Sequence, residues 1–449
     1  MQEYADYTSV PTAWLTELPS HWDCKKIGSL FSERKTKVSD KDFQPLSVAK
    51  IGVVPQLETA VKTDAGDNRK LVRAGDFVIN SRSDRKGSCG VSELDGSVSL
   101  INIVLTPRSQ WNAKYVHYLM RSQPFSEEYY RYGRGIVSDL WTTRFSEMKN
   151  ILLPIPSRSE QDQIVRFLDW KVSMINRLIN TKRKEIKAVD AMKRSMVSSA
   201  VTRGLNPGTP MKFSGVKWLG DIPEHWETIK LRQLLHPVSI KNHPELPLLS
   251  VVREQGVIVR DVTDKEANHN YIPDDLSGYK MVKKGQFAMN KMKAWQGSYG
   301  ISDYTGIVSP AYFIFDVSFD NLEYFHFAIR SKVYVNFFAQ ASDGIRVGQW
   351  DLQMDKMKEI PFIVPPADEQ VAIVEYIKKT LPRYDVAIEK LTAEVETLEE
   401  YKAKLIADVV TGKIDVRDVE IPDYEFVDEN ADSDSDSEED VEETEEQED

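Results

Sequence analysis

The chain has 449 residues, of which 41% are hydrophobic and 10% aromatic; that is room for two to four domains with cores of their own and excludes a wholly disordered protein. Two cysteines, Cys24 and Cys89, exclude a disulfide framework and a cysteine-based zinc module, and the absence of any run of about 18 apolar residues excludes a helical membrane span. The net charge of −12 is local: Asp428 to Asp449 carries 14 acidic residues and no basic one, so the remainder has 58 basic against 70 − 14 = 56 acidic residues, a net of +2.

The opening residues Met1-Gln2-Glu3-Tyr4-Ala5-Asp6 show no basic region followed by an apolar stretch, and the chain reads as soluble and cytoplasmic. The first motif is Trp14-Leu15-Thr16-Glu17-Leu18-Pro19-Ser20-His21-Trp22. It recurs as Trp218-Leu219-Gly220-Asp221-Ile222-Pro223-Glu224-His225-Trp226, 204 residues on. Val72, Gly75, Phe77 and Asn80 then match Val282, Gly285, Phe287 and Asn290 at an offset of 210, and Tyr115, His117, Arg121 and Ser122 match Tyr324, His326, Arg330 and Ser331 at 209. Anchors kept in order with offsets drifting by a few residues mean a duplication. The two copies run from about Trp14 to Gly204 and from about Trp218 to Gly412.

The first three quarters of each copy are strand-like and rich in turns. Apolar runs such as Phe77-Val78-Ile79 and Tyr312-Phe313-Ile314-Phe315 stand between Gly, Asn, Ser and Asp, with one short helix at Ala113–Arg121 and its partner at Leu322–Arg330. The repeated Gly, Trp and His anchors read as turns and core aromatics. After Pro156 and Pro365 the pattern changes. Positions 168, 172, 175, 179, 182, 186, 189, 193, 196 and 200 hold eight apolar residues of ten, and the same positions shifted by 209 hold nine of ten. Alternating spacings of four and three over about four heptads make a coiled-coil seam, so the two arms pack on each other. Pro382 stands where copy one has Ser173, and the second arm is expected to break near Leu381 and restart there.

The chemistry of a self-contained enzyme is missing. There is no phosphate-cradling glycine loop, no dinucleotide or S-adenosylmethionine loop after a strand, and no metal-ligand spacing among the seven histidines. Binding surfaces remain. After the matched asparagine, copy one continues Ser81-Arg82-Ser83-Asp84-Arg85-Lys86, whereas Asn290 is followed by Lys291-Met292-Lys293-Ala294-Trp295-Gln296. A second pair of segments holds Arg131, Arg134, Thr142 and Arg144 in copy one, and Ser342, Arg346 and Gln349 in copy two. Arg, Lys, Gln, Asn, Ser and Thr can meet phosphates or base edges, so these residues are the candidate DNA contacts. Two such modules spaced near 34 Å would meet a duplex one helical turn apart.

The order of motifs resembles the specificity (S) subunit of type I restriction–modification enzymes. The resemblance is carried by Trp218–Trp226 with its weaker copy Trp14–Trp22, by the junctions Pro156…Glu160-Gln161 and Pro365-Pro366…Glu369-Gln370, and by the arm ends Ala200–Gly204 and Val409–Lys413; it extends to about Val416. Departures are the acidic tail, Pro382, and Thr202-Arg203-Gly204 in place of a Thr-Gly pair. The resemblance implies an α+β fold with two repeated, mixed, β-rich target-recognition domains (1–155 and 205–364). They would be separated by two long α-helices (156–204 and 365–414), packed as an antiparallel coiled coil with pseudo-twofold symmetry. A tail (415–449) follows, disordered from about 428.

It implies a non-catalytic subunit in which each domain reads half of a bipartite DNA site. The arms set the spacer and dock two methyltransferase subunits. Adenine-N6 methylation, S-adenosylmethionine, ATP and Mg2+ would belong to partner subunits, which include a motor-nuclease. The N-terminal segment and the stretch after Gly412 would lie near equivalent linkers. The alternative from another class is a coiled-coil scaffold whose two modules bind proteins; a self-sufficient modification enzyme is a third.

Overall fold

The structure, a computed structural model, describes residues 2–57, 66–82, 85–109, 111–135, 141–261, 272–273, 275–346 and 349–428; at 345, 346 and 349 the description covers the backbone alone. Two compact units emerge, one formed by Met1–Lys182 with Ala393–Asp432 and the other by Arg183–Thr392 with Ser433–Asp449. Among the described residues no helix is long and apolar enough to cross a membrane.

In the first unit, β-branched and aromatic runs bounded by turn residues form an antiparallel sheet in the order Cys89–Val91, Phe77–Asn80, Asn102–Pro107, Phe31–Glu33. The second unit repeats it as Tyr299–Ile301, Phe287–Asn290, Tyr312–Val317, Leu235–Val238. A helix covers each sheet at the expected place. Ala113–Arg121 begins where the Asn112 side chain accepts from the amides of Lys114 and Tyr115, and it buries Tyr115, Val116, Leu119 and Met120. Leu322–Ile329 begins the same way on Asn321 and buries Tyr324, Phe325, Ala328 and Ile329. Phe287, Phe315, Tyr324 and Phe362 lie at the centre of the second core, each 1% exposed or less.

His117 and His326 fasten helix to sheet. Each Nδ1 accepts a backbone amide, from Val91 at 3.3 Å and from Ile301 at 3.2 Å. The neighbouring Arg121 and Arg330 donate to backbone carbonyls, Lys50 in one copy and Tyr299, Arg253 and Glu254 in the other. These repeated residues are structural.

Trp22 and Trp226 are buried as expected of anchors, but Trp218 is 57% exposed. It stands on a turn closed by the amides of Leu219 and Gly220 on the Val216 carbonyl, outside the core.

The arms are single helices, Arg158–Arg203 and Ala367–Val410. None of the twenty seam positions is exposed. Three seam lysines place their ammonium groups on polar partners within the same unit: Lys182 on Glu394 at 3.0 Å and Lys402 on Asn176 at 3.2 Å in the first, Lys193 on Asp385 at 2.6 Å in the second. As residue numbers rise on one helix they fall on the other, so the packing is antiparallel, and polar seam positions of this kind fix register.

The expected break at Pro382 does not occur; the proline lies inside the second helix. Pro382 and Lys378, whose carbonyl loses its i+4 donor, both face solvent. Water can take that carbonyl while the seam residues on either side hold the helix together.

The N-terminal strand Tyr7–Ser9 pairs with Glu17–Pro19, as Met211–Phe213 pairs with Asp221–Pro223 204 residues on. The Asp415 amide donates to the Gln2 carbonyl at 2.9 Å, so within the first unit the stretch after the second arm does meet the N-terminal segment. From Val416 to Val427 the chain then lies along the first arm. Gln163 donates to the carbonyls of Val416 and Val419, Asn176 to that of Val427, and the Ser173 hydroxyl both donates to the Glu425 carbonyl and accepts the Val427 amide. The acidic residues expected to be disordered lie, after Asp428, outside the described residues.

Candidate nucleic-acid interface

Each arm is seated by the Glu-Gln pair of its first turn. Glu160 accepts from the Tyr4 hydroxyl at 2.8 Å and from His21 Nε2 at 3.0 Å; Glu369 accepts from Trp226 Nε1 at 3.0 Å and from His225. Because Tyr4 takes the carboxylate in the first unit, the buried Trp22 indole N–H has no protein acceptor there. Gln161 and Gln370 donate back to the carbonyls of Pro156 and Pro365 at 3.0 and 2.8 Å. The junction motifs are therefore sockets that join module to rod.

The far end of each arm closes on the opening tryptophan of the other copy: Gly204 on Trp226, Gly412 on Trp22 and Pro19. Both glycines have positive φ, +74° and +79°, the left-handed conformation that ends a helix. The extra Arg203 extends the first helix to that residue, and Gly204 serves in place of the shorter Thr-Gly ending.

On this frame the divergent segments come together within each module. In the first, the Asn80 side chain accepts the Arg82 amide at 3.0 Å and sets the turn leaving the strand. Thr142 forms β-bridges with both Arg82 and Arg134, and the Thr143 amide donates to the Ser81 carbonyl at 2.9 Å. In the second, Asn290 accepts the Met292 amide at 3.1 Å. The hairpin Ser342–Arg346/Gln349–Leu352 sits beside this loop, with the Leu352 amide on the Lys291 carbonyl at 3.1 Å. Two loops some 50 residues apart in sequence thus form one surface per module.

The individual residues are not equivalent on that surface. Arg82, Arg85, Lys86, Arg134, Arg144 and Lys293 are exposed; Lys86 lies 5.5 Å from the centroid of the Tyr130 ring. Arg131 is held by Glu128 through two bonds of 2.7 Å, which raises its already high pKa and neutralises it locally. Lys291 pairs with Asp351 at 3.1 Å. Trp295 packs on Trp350 with centroids 5.1 Å apart and donates to the Met292 carbonyl, beside half-buried Gln296. Thr142 is half-buried, and Ser81 is buried. Ser342 is also buried and its hydroxyl donates to the Phe338 carbonyl at 2.8 Å, a bond that serves the fold, as the Asn290 side chain serves its turn. Ser83 and the side chains of Arg346 and Gln349 lie outside the described residues.

Residue-by-residue reading of those two segments missed Lys35, Lys70 and Lys149. They belong to framework stretches far apart in sequence, yet they line the same cleft as Thr142 and Arg144. A comparison of the copies singles out only Lys35, which stands where copy two has Ser239; Lys70 and Lys149 are matched by Lys280 and Lys358.

Each module is thus a sheet with a covering helix and two divergent loops side by side, built twice on the same plan and followed each time by a long helix. The comparisons agree with the resemblance read from the motifs. The chain is 26% identical over 291 residues to the type I restriction enzyme MjaVIII specificity subunit of Methanocaldococcus jannaschii, covering 60% of this chain and 64% of that one. It is 26% identical over 284 residues to the putative type I restriction enzyme MjaX specificity subunit of the same organism, covering 61% of each. It thus spans less than two thirds of the length of these curated relatives. A chain from a solved structure described as the basis of complex assembly and conformational transition of the type I R-M system has the same fold, with a TM-score of 0.58 at 12% identity, covering 88% of this chain and 99% of that one. No protein-family model matches the chain.

Proposed function

We propose that this chain is the DNA sequence-specificity subunit of a type I restriction–modification complex, each module reading one half of a bipartite site. The observation that carries this reading is the pairing of the two divergent loops on a conserved framework in each module, Ser81 with Thr143 and Lys291 with Leu352. A duplicated scaffold that keeps its anchors and differs where two loops meet is suited to reading two different sequences in one way. The helices, 46 and 44 residues long, serve as the element that fixes the gap between half-sites and as the docking surface for two methyltransferase subunits. Adenine methylation, with S-adenosylmethionine, and ATP- and Mg2+-dependent translocation and cleavage reside in the partner subunits, in the cytoplasm.

A gel shift of random-sequence duplex, with and without a co-expressed methyltransferase subunit and across a range of salt, tests the reading. Affinity that falls steeply with salt supports it. Binding that is absent from the full complex, or indifferent to salt, favours a coiled-coil scaffold with protein-binding modules.

A further inference from the structure

The first module contains an open cleft of about 630 Å³ beside its paired loops. Its walls come from five places in the sequence: the strand end at Glu33 and Lys35, the strand residue Lys70, Ser81, the stretch from Leu100 to Ile103, and the stretch from Thr142 to Lys149. Four cations and one carboxylate line it. The carboxylate is already engaged: Glu33 pairs with Lys35 at 3.2 Å and lies 3.6 Å from Lys70, whose ammonium also donates to the Asn102 carbonyl at 2.7 Å. Glu33 is thus shared between Lys35 and Lys70 and offsets one of the four positive charges; the Lys70 and Glu33 side chains are 15% and 14% exposed. Lys35, Arg144 and Lys149 face solvent around Leu100 and Ile101, each 38% exposed.

Cations around an exposed apolar strip match a ligand that alternates charge with a less polar ring. A sugar–phosphate backbone has this composition, with phosphates for the ammonium and guanidinium groups and deoxyribose for the aliphatic floor. The cleft shares Thr142 and Arg144 with the candidate recognition surface, so a strand read by those loops would run past it. Two of the four cations are missing at the equivalent positions of the second module, Lys35 corresponding to Ser239 and Arg144 to Gln353, while Lys70 is kept as Lys280 and Lys149 as Lys358, which lies 3.7 Å from Asp355.

We infer that the Lys35–Arg144–Lys149 cleft of the first module is a backbone-phosphate seat for the DNA strand flanking its half-site, so that the two modules contribute unequally to affinity. This inference rests on the DNA-reading function proposed above and adds a division of labour: the first module grips as well as reads.

The test uses the complex with its modification subunits, a random-sequence duplex for affinity across salt, and a randomised duplex library for the selected bases. The double variant Lys35→Gln, Lys149→Gln removes two phosphate contacts. It should lower the slope of log affinity against log salt by about 2 while the selected bases stay the same. Glu33→Gln removes the one carboxylate among the described residues that line the cleft and should tighten binding to the same duplex. An unchanged slope in the double variant, altered bases at the first half-site, or weaker binding by Glu33→Gln would each overturn the assignment. Failure of the parent complex to show salt-dependent DNA binding would remove the functional reading itself. A parent that binds and a double variant indistinguishable from it would remove only the phosphate seat.

Discussion

The hydroxyl of Tyr324 donates to the backbone carbonyl of Val201 at 3.1 Å, bringing the covering helix of the second module onto the end of the first arm. Tyr115 repeats the arrangement in the first unit at 3.4 Å from the Val410 carbonyl. Tyr324→Phe leaves a buried carbonyl short of a donor and should cost about 1–2 kcal/mol. Tyr115→Phe, with longer bonds, should cost less. Urea unfolding of the two variants against the parent measures the difference, and equal costs would contradict it.

Asp76 accepts from Arg34 Nε at 2.8 Å and Nη2 at 3.0 Å, from the Thr106 hydroxyl at 2.9 Å and from the Arg73 amide at 2.9 Å. In the second module the same position is Gln286, donating to Asp316 at 2.8 Å. Asp76→Ala strands the Arg34 guanidinium, which is partly shielded, and should cost about 2–4 kcal/mol. Gln286→Ala should cost about 1 kcal/mol. Calorimetric melting of each variant checks the ranking.

Burial, followed by the neighbouring Arg121, lowers the pKa of His117 to about 3; burial and Arg330 lower that of His326 to about 4. Both stay neutral when folded and take up a proton near pH 6.5 when unfolded, so the unfolded chain binds more protons between these values. The stability they contribute is complete above about pH 6.5 and is lost as pH falls toward 4, on the order of 1–2 kcal/mol for each at pH 5. The melting temperature should fall between pH 7 and pH 5, and His326→Asn should flatten that dependence. A pH-independent melting temperature would count against this.

Exchange of residues 20–155 for another module should change one half of the recognised sequence and leave the other intact, as read from the modified adenines of a host carrying the whole system. Within the existing modules, Lys293→Ala should weaken binding with a salt slope reduced by about 1. Arg131→Ala should do less, because Glu128 already holds that guanidinium. A larger effect of Arg131 would mean that DNA displaces Glu128.

Insertion of one heptad into each arm at matching seam positions should leave both half-sites readable and lengthen the gap between them. The modified positions in the same host reveal this directly, and an unaltered gap would remove the arms' role as a spacer.

Much of this was legible in the sequence because duplication supplies an internal comparison. Trp22 and Trp226, His117 and His326, and Glu160 and Glu369 could be paired without any structure, and the heptad spacing placed all the seam residues inward. Pro382 misled because local propensity was weighed without the packing of its neighbours; the proline faces water and the flanking seam residues supply what it withholds. Ser342 and Asn290 were chosen for hydrogen-bonding capacity, but in the fold that capacity is spent on Phe338 and Met292. Lys35, Lys70 and Lys149 were invisible as a group because they converge only through strand pairing across more than 100 residues of chain.

Ser173 can both give and receive a hydrogen bond, and the chain end after the second arm uses both. Its counterpart Pro382 can do neither. Within the first unit the closing segment is therefore held by a hydroxyl that has no equivalent in the second copy. The duplication that built the two arms has left them chemically unlike: the first carries a lined track at Gln163, Ser173 and Asn176, while the second exposes Val371 and Val386.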